Sequence, residues 1–367
     1  MLLSLKQKVL SFIKLSLCKQ YTSIGGQAVI EGVMMRSPNA FVVAVRKPSG
    51  EIMLRKDQWF GLSKSFDFLK KPFFRGVLVL IETMANGIVS LNYSANIAEA
   101  SEKNGKKKKA SEKIDLGTFL SIGLSFVFGI LLFVFLPHYL TILLEKFAGQ
   151  NWGLDSVLFH AVDGLIKSFI FVAYVFLIGL IPDIRRVFQY HGAEHKSIST
   201  FEEGEDLLVE NAVKYPTFHP RCGTTFVFFL LFISILIFTF AFSFIPFPEH
   251  WPDVLKHVVA IVLKVFFSFP IAGIAYELIK YAGNTKNKLI GKVITYPGKV
   301  LQKLTTREPD EDQLEVALAS IKAVLELEES YNLKNAKEKV VTLQEVEIKN
   351  LEELGSTNLK LKDFLEA

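Results

Sequence analysis

The segment His191-Gly192-Ala193-Glu194-His195 carries residue types that bind metals and transfer protons. On an α-helix its two histidines and its glutamate share one face, so two imidazoles can bind a single Zn²⁺ with a carboxylate beside them. The same order of residues occurs in inverzincin metalloproteases, in which the glutamate activates water at the metal. A histidine and a glutamate at this spacing also form weak contacts on exposed helices, so further ligands are needed to define a site.

Long apolar segments predict the elements that must position this motif. Four of them are long enough to cross a bilayer, which predicts a mainly α-helical, polytopic membrane protein with four transmembrane helices. The predicted spans cover residues 116–136, 157–181, 224–247 and 254–279. With their loops they form a membrane domain over 116–281, and the candidate site lies in a cytosolic loop over 182–222.

The lysines and arginines between the spans predict the orientation of the chain. They are abundant before the first span, between the second and third spans, and after the fourth, whereas the other two loops hold only Lys146. By the positive-inside rule, the N-terminus and the C-terminus both lie in the cytosol. Membrane lipid is the first partner that this arrangement implies.

Two more residues with metal-binding side chains, His219 and Cys222, stand directly before the third span. The predicted orientation places them at the same membrane surface as the His-x-x-Glu-His helix, and places the remaining four histidines on or near the outer face. We therefore expect His191 and His195 to bind Zn²⁺ together with His219 or Cys222. Glu277, at the inner end of the fourth span, is a further candidate oxygen ligand.

The segments around the spans are predicted to be small cytosolic elements. Residues 21–75 form a β-containing lobe, because short apolar runs flank Lys47-Pro48-Ser49-Gly50 as in a β-hairpin. The first part of this lobe has paired glycines followed by Glu31 and Arg36, and such a loop can approach a site closely. The other predicted regions are an interfacial amphipathic helix over 1–20, an amphipathic helix and basic linker over 76–115, a cytosolic helical region over 282–333 and a charged tail over 334–367.

The net charge of +5 is unevenly distributed along the chain. From Glu308 to Ala367 there are 15 acidic and 7 basic residues, so this part has a net charge of −8 and the rest of the chain has +13. Because membrane topology accounts for most of the basic residues, we expect no nucleic-acid partner. The acidic C-terminal helices can instead serve as a surface for a protein partner.

Charged residues inside the predicted spans are a separate feature. Asp163 and Lys167 are spaced to pair along one helix, and Lys264 lies near the middle of the fourth span. Such residues either pair with each other and reach toward the interface, or mark a path for a solute or a proton. The first interpretation is favoured, and the second stays open.

The chain resembles the YqhQ-like family of bacterial membrane proteins, a family of unknown function described as predicted metal-dependent enzymes. The resemblance rests on motifs at residues 25–36 (GGQAVIEGVMMR), 190–196 (YHGAEHK), 219–224 (HPRCGT), 276–277 (YE) and 304–317 (LTTREPDEDQLEVA). It implies a site at the inner membrane of a bacterium, but no substrate. The residues that it groups in this site are Glu31, Arg36, His191, Glu194, His195, His219, Cys222 and Glu277.

Three functions are consistent with these residues. The favoured one is a zinc-dependent hydrolytic enzyme at the cytosolic face of the inner membrane, with Glu194 as general base and with Glu31 and Arg36 orienting the substrate. The second is a non-enzymatic assembly or scaffold factor with a structural metal site, because four protein ligands are typical of structural zinc. The third is a solute or ion transporter that uses the charged residues of the spans.

Overall fold

The computed structural model describes residues 23–58, 71, 74–100, 116–150, 152–245, 247–284, 288–333 and 344–354. In this part the chain is mainly helical, with one small sheet. The helices are α1 (Phe74–Ala100), α2 (Leu116–Ile130), α3 (Leu136–Phe147), α4 (Val157–Ile178), α5 (Pro182–Glu203), α6 (Val209–Ala212), α7 (Gly223–Ala241), α8 (Asp253–Asn284), α9 (Lys288–Thr305) and α10 (Glu311–Leu333). The predicted interfacial helix over 1–20 and the lysine-rich part of the linker lie outside the described residues.

Five antiparallel strands form a sheet in the order β1-β2-β3-β4-β5. Their bounds are Gly25–Val29, Gly32–Arg36, Ala40–Arg46, Ile52–Gln58 and Gln344–Ile348. The predicted hairpin is confirmed, because β3 and β4 pair around the turn and Lys47 N–H donates to Glu51 O. Gly50 has a φ of 103° in this turn, a conformation that favours glycine.

The two faces of the sheet pack against different helices. Because side chains alternate along a strand, Met35 and Val42 point to one face, where α5 and α10 cover them. Met34 and Val43 point to the other face, where they pack with Tyr93 of α1. The sheet therefore lies between α1 and α5, and it holds the helix with the His-x-x-Glu-His motif in place.

Helix α10 is a core element beside the sheet. Its apolar side chains over 314–325 belong to the same buried cluster as those of β2 and β3. Its acidic side chains pair at the edge of this core, Glu315 with Arg46 at 2.7 Å and Glu326 with Lys56 at 3.3 Å. The apolar face of this predicted helical region thus packs against the sheet of the same chain.

The C-terminal segment contributes the strand β5, which pairs with β4 along one edge of the sheet. The sequence pattern predicts a charged tail over 334–367, so this strand is a difference from the prediction. Four of its five residues are exposed and only Ile348 is buried. A strand with a single buried residue has no alternation from which it can be recognised.

Five helical segments in the described residues are long and apolar enough to cross a membrane, which indicates a membrane protein. They are Phe74–Glu99, Leu120–Phe147, Val157–Ile178, Gly223–Phe244 and Asp253–Tyr281. Four match the predicted spans, and the fifth is α1, for which the sequence predicts an amphipathic helix. The first span continues beyond its predicted end, through a π-helical turn at Leu131–Phe135 into α3, so His138 lies on a helix rather than in a loop.

Candidate metal centre

Helix α5 brings His191 and His195 together, as their spacing predicts. The helix begins at Pro182, whose fixed φ suits a first helical turn, and is capped by Gly204 in the left-handed conformation. The two imidazole rings lie 4.4 Å apart between centroids. His195 is buried and His191 is half-buried, so both rings face the protein interior.

Each imidazole donates its Nδ1–H to a backbone carbonyl. His191 Nδ1 lies 2.9 Å from Thr305 O at the end of α9, and His195 Nδ1 lies 2.7 Å from Thr217 O. Because a carbonyl oxygen only accepts hydrogen bonds, the hydrogens are on Nδ1 and both Nε2 atoms present lone pairs. Carbonyls in this position commonly orient metal-bound histidines.

Cys222 completes a group of three ligand atoms. It directly precedes α7, and its Sγ accepts a hydrogen bond from Thr224 N. The sulfur lies 3.2 Å from His191 Nε2. One ligand atom from each of His191, His195 and Cys222 lies within 4.8 Å of the other two. Two imidazoles of α5 and the thiol directly before α7 thus converge on one point, which we call the His–His–Cys group.

The His–His–Cys group fits a zinc ion. In tetrahedral sites, Zn–N distances of about 2.0 Å and Zn–S distances of about 2.3 Å place the ligand atoms roughly 3–4 Å apart. The separation of 3.2 Å between His191 Nε2 and Cys222 Sγ has this size. His195 Nε2 is buried without a hydrogen-bond partner, and such an orphaned atom requires an explanation that a bound cation would supply.

His219 lies beside the His–His–Cys group but its nitrogens are engaged elsewhere, which differs from the predicted set of ligands. Its ring is 5.9 Å from that of His195 between centroids. Its Nδ1 accepts a hydrogen bond from Arg221 N at 3.4 Å, and its Nε2 contacts Glu202 Oε2 at 3.2 Å. A ring whose Nδ1 accepts is neutral, and burial lowers the pKa of His219 to about 4.

Glu194 is buried next to these histidines. Gly26 of β1 makes room for it, because a β-carbon at Gly26 would lie 2.7 Å from Glu194 Cγ. Burial raises the pKa of Glu194, while His191 and His219 act in the opposite direction. A carboxylate whose pKa is raised accepts protons nearer to neutral pH, which suits a general base.

Glu31 is separate from the His–His–Cys group. It lies in the turn between β1 and β2, where its φ of 52° is in the left-handed region. Its carboxylate accepts two hydrogen bonds from Arg186 of α5, both at 2.5 Å, and one from Tyr190 at 3.4 Å. These bonds raise the pKa of Arg186. Glu31 therefore fixes the sheet to α5 just before the motif.

Arg36 points away from Glu194. It pairs with Gly25 across β1 and β2, and neighbours along a strand point to opposite faces, so Arg36 lies on the face opposite to that on which Gly26 meets Glu194. Burial lowers the pKa of Arg36, and the nearby Tyr276 and Glu82 oppose this effect. Arg36 thus belongs to the interface of the sheet with α1 and α8.

Glu277 is likewise outside the His–His–Cys group. Its carboxylate accepts two hydrogen bonds from Arg75 of α1, at 2.6 and 2.5 Å. The ion pair links the C-terminal part of α8 to the start of α1. Of the eight residues that the sequence groups in one site, Glu31, Arg36 and Glu277 therefore hold elements of the fold together around it.

Two residues that the sequence did not assign to the site hold its parts in place. A β-carbon at Gly192 would lie 2.1 Å from Arg307 O, so glycine allows the segment after α9 to approach α5 and Thr305 O to reach His191. Gln302 accepts from His219 N and donates to His219 O, both at 2.9 Å. The motif at 304–317 contains Arg307, but it did not indicate that this segment contacts α5.

Comparison with known proteins places the chain in a family. Residues 71–327 match the family described as "Protein of unknown function (DUF1385)". The chain belongs to this family. It is also 32% identical over 315 residues to "Uncharacterized protein YqhQ" of Bacillus subtilis (strain 168), covering 83% of this chain and 92% of that protein. No solved structure matches the chain.

The resemblance found in the sequence motifs is thereby confirmed. The DUF1385 region includes α5 and α7, and so contains Glu194 and the entire His–His–Cys group. Strands β1 to β4, with Gly26, precede this region. The family match thus covers the elements that carry the candidate ligands, and it names no reaction.

Proposed function

We propose that this protein is a zinc-dependent hydrolytic enzyme at the cytosolic face of a bacterial inner membrane. The observation that carries the proposal is the convergence of His191 Nε2, His195 Nε2 and Cys222 Sγ, with both imidazoles oriented by backbone carbonyls. Three protein ligands leave one tetrahedral position open, as in catalytic zinc sites. A zinc ion held there would supply a Lewis acid that makes water a better nucleophile at neutral pH.

Glu194 acts as the general base in this proposal. It lies on α5 between the two histidines in sequence, and its carboxylate interacts electrostatically with His191 and His219. Burial raises its pKa, which favours its accepting a proton from water. The carboxylate would accept a proton from the attacking water and return it to the leaving group.

The contacts of α1 support four membrane crossings and a cytosolic site. Gly76, near the start of α1, packs on Gly273 and Tyr276 of α8, whereas Gly87 and Tyr93 further along pack on the sheet. A sheet with open edges does not lie in hydrocarbon, so the second half of α1 belongs to the aqueous side. The sheet and α5 then share one side of the membrane, which the positive-inside rule assigns to the cytosol.

Replacing Glu194 by glutamine tests the catalytic role. Purified Glu194→Gln protein should keep its zinc, because the ligand atoms are unchanged, and should fail to complement a strain that lacks the gene. Glu203→Gln makes the same change at an exposed position of α5 and should keep both properties. Full complementation by Glu194→Gln would exclude Glu194 as the general base.

A second candidate function is a membrane assembly or scaffold factor with a structural zinc. The burial of His195 and Cys222 favours it, since structural zinc sites are closed to solvent. The acidic outer surface of α10 would then bind a partner protein. This function makes the opposite predictions: Cys222→Ser lowers the thermal stability of the protein, whereas Glu194→Gln complements normally.

A further inference from the structure

A second polar cluster lies among the membrane helices, at the end of α4 opposite to the end that leads into α5. Its members are His138 of α3, Asp163 and Lys167 of α4, and His257 and Lys264 of α8. All are buried except His257, which is half-buried. Ionisable side chains inside membrane spans are costly, and they commonly mark a functional site.

Lys264 is the centre of this cluster. It is 1% exposed, and its Nζ donates to Asp163 Oδ2 at 2.8 Å and to His138 Nδ1 at 3.1 Å. It lies about 16 Å along α8 from the first residue, Asp253, at 1.5 Å per residue. With Asp253 placed at the membrane boundary, this distance is about half of a hydrocarbon layer that is about 30 Å thick.

The contacts of His138 define a directed chain of hydrogen bonds. An ammonium group cannot accept, so His138 Nδ1 accepts from Lys264 and the ring carries its hydrogen on Nε2. That Nε2 lies 3.0 Å from His257 Nδ1, which therefore accepts in turn. His257 then has its hydrogen on Nε2, at the half-buried end of the chain. The three residues thus connect the helix end to the membrane centre.

The side chain of Lys264 has almost no contact with bulk solvent. The rings of Phe159 and Phe242 lie 5.8 and 6.0 Å from its Nζ. His160, which also faces this region, donates from Nε2 to Leu154 O at 2.7 Å and so takes no part in the chain. Protons can therefore reach Lys264 through the histidines, while bulk solvent cannot.

The charges around Lys264 are not balanced. Asp163 is paired with Lys264 and also lies 4.0 Å from Lys167 Nζ, so one carboxylate faces two lysines. Asp163 Oδ1 is buried without a hydrogen-bond partner, and it lies 3.9 Å from His138 Nδ1. With both lysines charged, the cluster carries an excess positive charge in a medium of low dielectric constant, and release of one proton from either lysine removes it. Lys264 is the lysine that contacts the histidine chain, so it is the one that can exchange a proton through that chain.

We propose that His257 and His138 form a proton path that loads and unloads Lys264 from the end of the membrane helices away from the His–His–Cys group. Loading starts with neutral Lys264 and with both histidines protonated on Nδ1. A proton arrives at His257 Nε2, the His257 Nδ1 hydrogen moves to His138 Nε2, and the His138 Nδ1 hydrogen moves to Lys264 Nζ. One proton has then entered the chain. Both histidines carry their hydrogen on Nε2 and Lys264 is charged, which is the arrangement that the observed hydrogen bonds require.

This inference is independent of the proposed hydrolytic function, because it involves none of the residues of the metal centre. It gives the protein a proton-binding site at Lys264, and protons reach this site through His257 and His138. A proton that moves this far crosses part of the membrane field, so its binding displaces charge.

Charge displacement after a pH step tests the path directly. Full-length protein is reconstituted in liposomes that are adsorbed on a solid-supported membrane, and the pH of the bathing solution is lowered rapidly. The wild-type chain should give a transient current that Lys264→Met abolishes. His138→Gln and His257→Gln should also lose it, because glutamine keeps hydrogen-bonding groups but cannot be protonated. Lys146→Met, the same change as at Lys264 but at an exposed position of α3, should keep it.

The result that overturns the inference is a wild-type transient in Lys264→Met, or in both glutamine variants. Removing Lys264 leaves Asp163 buried without its partner and can prevent folding, so size-exclusion chromatography of each variant accompanies the recording. If Lys264→Met aggregates, His257→Gln decides alone, since that position is half-buried at the end of the chain. Loss of its transient supports the path, and an unchanged transient refutes it.

Discussion

At the scale of single residues, the candidate centre depends on which nitrogen of each imidazole carries the hydrogen. The carbonyls of Thr305 and Thr217 hold the hydrogens of His191 and His195 on Nδ1. Both Nε2 atoms are then free to bind a cation without any change of tautomer. The same pair of histidines with the opposite tautomers would present N–H groups to the site and repel a metal ion.

His219 provides a pH-dependent contribution to stability. The pKa of His219 is lowered to about 4 in the folded protein, against about 6.5 in the unfolded chain. Below pH 6.5 the unfolded chain therefore binds a proton that the folded protein resists, so stability falls as the pH drops from about 6.5 towards 4. The loss attributable to His219 should reach about 3 kcal/mol at the acid end.

Thermal unfolding of the metal-free protein in detergent at several pH values measures this contribution. In His219→Gln the amide can still donate to Glu202 but does not titrate, so its unfolding temperature should fall less on acidification than that of the wild type. Parallel pH profiles for the two proteins would contradict a buried, neutral His219.

The chemistry of the motif could be predicted from its sequence, but its environment could not. The spacing of His191, Glu194 and His195 is a local property of a helix, and the structure retains it. The roles of Thr217 and Thr305 involve backbone carbonyls, which no side-chain pattern encodes. His219 was expected to be a candidate ligand because of its position before the third span, and its contact with Glu202 could not be deduced without the fold.

At the scale of the elements, α5 packs closely between the sheet and the segment that joins α9 to α10. Gly26 of β1 admits Glu194 on one side, and Gly192 of α5 admits Arg307 O on another. Glycine is needed at both positions, because atoms of the neighbouring element occupy the space in which a larger residue would have its β-carbon. A helix-weakening glycine inside the motif is thus explained by packing rather than by flexibility.

Gly192→Ala should push this segment away from α5. The new methyl group would overlap Arg307 O, and relief of the overlap would lengthen the bond from His191 Nδ1 to Thr305 O. We expect a loss of about 1–3 kcal/mol in stability and weaker zinc binding. Ala193→Gly, at the next position of the helix, removes a side chain instead of adding one and is the control for helix propensity. Equal zinc affinity in Gly192→Ala and the wild type would refute this role.

The elements defined by local patterns were predicted well, and those defined by distant contacts were not. The turn at Lys47-Pro48-Ser49-Gly50 and the helix that begins at Pro182 follow from residues adjacent in sequence. Strand β5 forms only because β4 offers an edge about 290 residues earlier in the chain. The position of α1 also depends on distant contacts, because its apolar face meets both α8 and the sheet.

At the scale of the whole molecule, the chain has two polar centres at opposite ends of α4. The His–His–Cys group lies beyond the end of α4 that leads into α5, and the Lys264 cluster lies toward its beginning. Whether the sheet lies on the same side of the membrane as α5 depends on whether α1 crosses the bilayer. Four crossings place the sheet on the same side as α5, consistent with their direct packing.

Cysteine labelling in intact cells distinguishes four crossings from five. With four, Glu51→Cys in the β3–β4 turn and Gln150→Cys after α3 lie on opposite sides, so an impermeant maleimide should label only the second. With five, both lie on the same side. The unsubstituted chain gives the background, and Glu249→Cys, before α8, should be labelled like Gln150→Cys. Labelling of Glu51→Cys would contradict four crossings and the placement of the sheet on the same side as α5.

The central claim is that His191, His195 and Cys222 bind one metal ion, and elemental analysis of the detergent-purified protein tests it most directly. The wild-type chain should contain about one zinc per molecule, as a single tetrahedral site requires. His191→Ala should lose it, whereas His250→Ala, which removes an exposed imidazole, should retain it. A wild-type protein without metal, or a His191→Ala variant with an unchanged zinc content, would contradict the account.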